Sequence, residues 1–106
     1  MEATRTPMGI SVREAGGIYY VSGDLDWEGG EDLRITLDRH PPARGAEVVL
    51  DLVEVGFIDS MGVRSLVLFA RGTPCDVVLR YPQDSVMRIF ELLQLDEVPG
   101  IRVVQD

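Results

Sequence analysis

The sequence predicts an α/β fold, a mixed and mainly parallel sheet with helices packed against it, in the order β-β-α-β-α-β-α-β. Three observations carry that expectation. Short runs of β-branched and apolar residues alternate with segments whose apolar residues recur at helical spacing. The central run "VVLDLV", residues 48–53, is apolar almost throughout, as a strand buried on both faces would be. The chain has 106 residues, room for one domain over 1–106, with 1–8 expected as a flexible tail.

The elements follow in order. "ISVRE" (10–14) and "GIYYVS" (17–22) flank Ala15-Gly16-Gly17 and form two strands joined by a tight turn. In "GDLDWEGGEDLRITLDRH", Leu33 and Leu37 lie at helical spacing and acids crowd the front, where the helix dipole favours them. "PPARG" then breaks the chain before the strand at 48–53. Val63, Leu66, Val67 and Ala70 form the stripe of a helix ending near Gly72. "DVVLRY" (76–81) is a strand. Asp84 or Ser85 caps a helix with Val86, Ile89, Phe90 and Leu93 facing inward, and "IRVV" closes the sheet.

Composition narrows the function classes. The chain carries 18 acids against 10 bases, a net charge of −8, and every base is arginine. Without lysine there is no Schiff-base nucleophile and no P-loop lysine. No basic stripe exists to neutralise phosphates, so nucleic acid is not an expected partner. A single cysteine, Cys75, forms no internal disulfide and suits a reducing, cytoplasmic setting as a buried thiol. No segment is long and apolar enough to span a bilayer, and no membrane partner is expected.

The stretch Asp59-Ser60-Met61-Gly62 interrupts the most hydrophobic segment at a strand-to-helix junction. Taken locally, Ser60 is the N-cap and Asp59 complements the dipole. Gly62 does not fit that account, since glycine inside a helix costs about 0.8–1 kcal/mol relative to alanine. Its presence implies that something approaches the backbone closely there. Helix starts at the carboxyl edge of a parallel sheet are also where such folds hold their sites, and the same free amides would tolerate a phosphate on Ser60.

Three segments, "GDLD" (23–26), "VVLDLVEVGFIDSMGVRSL" (48–66) and "PQDSVMRIFELLQLDEV" (82–98), together resemble the STAS-domain family, in particular the anti-sigma factor antagonists. The likeness runs from about residue 8 to 104. It implies a STAS-like fold and a binding module, not an enzyme. It also implies that Ser60 is phosphorylated by an anti-sigma factor serine kinase, that phosphorylation releases the kinase, and that a phosphatase acting on phosphorylated Ser60 resets the switch. By the same likeness Asp26 lies near Ser60, and Asp24 stands where glutamate is common. Met61 replaces a second hydroxyl, leaving Ser60 as the only acceptor in the turn. Many members continue into a further helix beyond the last strand, and sheet surface here is expected to await a partner. The partner-binding set expected is Asp24, Asp26, Trp27, Asp59, Met61, Gly62 and Arg64. Gly29-Gly30 is expected to loosen the loop that carries Asp26 and Trp27. A STAS module serving a transporter or signalling assembly as a constitutive adaptor is the alternative.

Other signals weigh less. Asp24, Asp26, Glu28 and Gly29 imitate the front of a calcium loop, but its twelfth position is Ile35 rather than glutamate, so no metal site is expected. His40, the only histidine, precedes two prolines and fits a helix C-terminus. There is no G-x-S-x-G elbow and no cofactor motif. Trp27 is either an exposed contact anchor or a core residue, and Arg64 either a plain surface arginine or one that faces a partner or phosphate.

Overall fold

The structure is a computed structural model that describes residues 4–5, 10–40 and 45–105. Its elements are β1 (Thr4–Arg5), β2 (Ser11–Ala15), β3 (Ile18–Leu25), α1 (Trp27–Arg39), β4 (Val48–Ile58), α2 (Ser60–Gly72), β5 (Val77–Arg80), α3 (Asp84–Leu92) and β6 (Ile101–Val104). The strands lie in one sheet in sequence order. The β1–β2 and β2–β3 pairs are antiparallel, and β3–β4, β4–β5 and β5–β6 are parallel. The expected α/β class and alternation are therefore present, with one two-residue strand added at the front. That strand falls within the stretch expected as a tail; residues 1–3 and 6–9 lie outside the described residues.

Local chemistry accounts for most of the boundaries. Gly16 and Gly17 both take positive φ, +61° and +85°, which a two-residue hairpin between right-twisted strands requires. The side chains of Leu33 and Leu37 on α1, and of Val63, Leu66, Phe69 and Ala70 on α2, enter one core with Val21, Leu50, Leu52, Val77 and Leu79 of the sheet. His40 caps α1 through its backbone N–H, which donates to the carbonyls of Thr36 and Leu37, while its own carbonyl accepts from the Tyr19 hydroxyl at 3.0 Å. Cys75 is buried.

Four expectations need correction. The strand at 48–53 continues to Ile58. It does so through two register shifts against β3, each giving β4 one extra residue: Tyr20 and Ser22 pair Asp51 and Glu54, and Gly23 and Asp24 pair Val55 and Phe57. The buried residues Leu52, Val55 and Ile58 thus recur every third position, which hides the strand from a period-two reading. Second, β4 is not buried evenly on both faces, since Val49 is half-buried and Val53 is 48% exposed on the face away from the core. On that face Asp51 is buried, accepting from Arg80 Nε at 2.8 Å and from Val53 N at 3.1 Å, with Arg80 also over the Tyr20 ring. Third, neither Asp84 nor Ser85 caps α3. The N-cap is Gln83, whose side chain makes no cap bond and instead donates to the Val53 carbonyl, just past the last β4–β5 register pair, Asp51 with Arg80. Fourth, Leu93 is 44% exposed: the chain turns through left-handed Gln94 (φ +54°) and sends Leu95 into the core in its place.

Candidate functional site

Two helices begin side by side at the carboxyl ends of β3 and β4, and they begin alike. α1 opens with Asp26-Trp27-Glu28-Gly29 and α2 with Asp59-Ser60-Met61-Gly62. In each, the aspartate is the N-cap in extended backbone conformation. Asp26 Oδ1 accepts from Gly29 N at 2.8 Å, and Asp59 Oδ1 accepts from Met61 N and Gly62 N, both at 3.0 Å. Ser60 is therefore not the cap, as a local reading had it. The longer carboxylate of Asp59 takes the first-turn amides, and Ser60 becomes the first helical residue.

The glycines explain why the two starts can sit together. A Cβ on Gly62 would lie 1.8 Å from the Leu25 carbonyl oxygen, and one on Gly29 would lie 2.0 Å from the Asp24 carbonyl oxygen. A Cβ on Gly30 would meet Ser65 Oγ at 2.7 Å and the Gly62 Cα at 3.4 Å. The close approach implied by Gly62 is thus made by the end of β3, which also accepts from Asp59 N at 3.3 Å through Leu25. Gly29 and Gly30 are buried, so they do not loosen the loop; they let α1 press against the end of β3 and against α2.

This packing sets what faces outward. Trp27 and Ser60 occupy the same position, the first residue of each helix, and both are exposed, Trp27 at 62%. That places Trp27 on the surface and ends the core reading of it. Met61 and Arg64 are exposed beside Ser60, and Asp24 is exposed at the end of β3. Asp26 and Asp59 are half-buried with a carboxylate oxygen committed to each cap, and Gly62 is buried beneath Leu25. Among the described residues the Ser60 hydroxyl takes part in no hydrogen bond.

Between the helices runs a groove of about 200 Å³, bordered by Trp27, Glu31, Arg34, Met61, Arg64 and Leu68. Its floor is tied by Glu31, which accepts from Arg34 Nη2 at 2.8 Å and from the buried Ser65 hydroxyl at 3.2 Å. The hydrogen bond from Arg34 chiefly holds the Glu31 carboxyl below its usual range. Ser65 and the charges of Arg34 and Arg64 act the same way, against partial desolvation. Sequence reasoning missed Glu31, Arg34, Ser65 and Leu68. The i, i+3 spacing of Glu31 and Arg34 is a legible ion-pair signal, but Ser65 and Leu68 join the site only through the contact of two helices.

The chain matches the family described as "Mlab, STAS domain" over residues 12–105. It belongs to the STAS-domain family. No curated protein matches it in sequence. In its fold the STAS domain is similar to part of murine Solute Carrier 26 family member A9, an anion transporter solved in the inward-facing state, with a TM-score of 0.66 and 19% identity. The match covers 95% of this chain and 19% of the transporter chain, so it speaks for the shared fold alone. Among the described residues no helix of the STAS domain is long and apolar enough to cross a membrane.

Proposed function

We propose that this STAS domain is a phospho-switched binding module, an anti-sigma factor antagonist that binds an anti-sigma serine kinase and is released by phosphorylation of Ser60. One observation carries the reading. The Ser60 hydroxyl is presented to solvent on the first residue of α2, while Asp59 does the capping that would otherwise occupy it. Around it stand the exposed Trp27 and Met61, residue types enriched at interface centres. Asp26, Asp59 and Gly62 hold that surface in place from beneath, and Asp24, Trp27, Met61 and Arg64 meet the partner.

The switch needs no change of fold. A phosphate adds about −1.5 to −2 charges, which the positive end of α2 accommodates. In a fitted interface the same charge, placed against like charge or left desolvated, costs several kcal/mol, and each ~1.4 kcal/mol is tenfold in affinity. A weakening of about a hundredfold or more follows.

A constitutive adaptor is the second reading. It is favoured by the run of exposed apolar side chains, Trp27, Met61 and Leu68, which suits a lasting contact, and by the occurrence of this fold within a transporter chain. Incubation with ATP and the host's candidate kinases, followed by phosphopeptide mapping, separates the two. Phosphate on Ser60 alone, with Ser60→Ala retaining the kinase and Ser60→Asp losing it in a pull-down, supports the switch. Tight binding with no modification, or equal binding of both variants, overturns it in favour of the adaptor.

A further inference from the structure

We infer that the groove between α1 and α2 receives an apolar segment of a partner protein that carries a carboxylate, that Arg64 pairs with this carboxylate, and that a phosphate on Ser60 expels the segment by taking Arg64 for itself. The second half rests on the reading of Ser60 as the acceptor; the first does not.

The groove is apolar at its rim, and its lining carries one more arginine than acid. Trp27, Met61 and Leu68 are 62%, 37% and 41% exposed along it. The chain as a whole is −8, yet this groove is bordered by two arginines and one glutamate. That glutamate is already committed, since Glu31 bonds Arg34 and Ser65, and Arg34 also lies 3.7 Å from Asp38. Arg64 differs. It is exposed, and no salt bridge to it is formed among the described residues. A partner cation entering the groove would face Arg64 with Glu31 already engaged, whereas a carboxylate would complete a charge-assisted pair beside apolar contacts.

The same arginine stands four residues after Ser60 on α2. Residues at that spacing have Cβ atoms about 5–6 Å apart on one helix face, within reach of a phosphate's three acceptor oxygens. A guanidinium held by phosphoserine within its own helix is no longer available to a partner's carboxylate. Phosphorylation therefore removes an anchor as well as adding a charge.

The test uses the purified protein and two fragment probes, 3-phenylpropionate and 3-phenylpropylamine, titrated at millimolar concentration while amide resonances are followed by NMR. The carboxylate should shift the signals of Trp27, Met61 and Arg64, and the amine should not. Arg64→Gln, a surface change checked by an unaltered melting temperature, should weaken the carboxylate about tenfold. Phosphoserine installed at position 60 during translation should weaken it similarly in the wild type and add little in Arg64→Gln. No shift with 3-phenylpropionate, or equal shifts with both probes, overturns the groove's assignment. A phosphate that weakens Arg64→Gln as much as the wild type overturns the capture of Arg64. Because the phosphate is installed directly, a failure to find any kinase would refute the proposed switch without touching this result.

Discussion

Replacing Gly62 with alanine tests the packing on which the whole surface depends. The new Cβ would lie 1.8 Å from the Leu25 carbonyl oxygen, 2.7 Å from its carbon and 3.0 Å from Ile58 Cγ1. Ordinary van der Waals contact begins near 3.4 Å, so the end of β3 and the first turn of α2 must part by about 1.6 Å. The nearest atoms are backbone and cannot swing aside as a side chain would. Overpacking of this kind costs about 1–3 kcal/mol, and losing the Asp59 N to Leu25 O bond adds about 1 kcal/mol. Alanine's better helix propensity returns at most about 1 kcal/mol. The net expectation is a loss of about 2 kcal/mol, or about 10 °C in melting temperature for a domain of this size. Urea unfolding followed by far-UV circular dichroism measures it, with an unchanged m value confirming that stability and not the unfolded state has moved. Gly72→Ala is the control. No neighbour lies within 4 Å of its added Cβ, so it should gain a few tenths of a kcal/mol up to about 1 kcal/mol. If Gly62→Ala unfolds within about 0.5 kcal/mol of the wild type, the glycine is not there for Leu25 and the account fails.

Two further expectations concern the helix starts and the groove. Asp59→Ala removes both cap bonds from the first turn of α2 and should destabilise the domain by about 1 kcal/mol, with Asp59→Asn close to the wild type; equal loss in both variants would show that charge, not capping, is the function of this residue. The Glu31 carboxyl, held below its ordinary value of 4.5 chiefly by Arg34, contributes stability that is present above that value and lost as pH falls through the lowered folded value. The stability difference between the wild type and Arg34→Gln at pH 7 should therefore shrink as the pH falls below 4.5 and also shrink with added salt, and a gap that persists at pH 2 would assign it to packing.

Much of this STAS domain could be read from residue order alone. Hydrophobic patterning located the three helices and five of the six described strands, because which face a residue takes depends on its spacing along one element. The Asp59-Ser60-Met61-Gly62 turn stood out because polar residues and a glycine interrupt an apolar run, and a helix start there is a local event. What approaches Gly62 is not local. The Leu25 carbonyl comes from a strand 37 residues earlier, and only folding brings it under α2. The same holds for Gly29 and Gly30, which loosen an isolated helix but let two helices touch when folded. Trp27 could not be assigned from sequence, since a residue at the first helical position is turned inward or outward by how the helix docks. The cap at Asp59 and the groove containing Arg64 and Leu68 likewise depend on backbones meeting across the fold. Local propensity fixed the elements and their order; the distances between elements, which decide what is exposed and what can bind, came from tertiary packing.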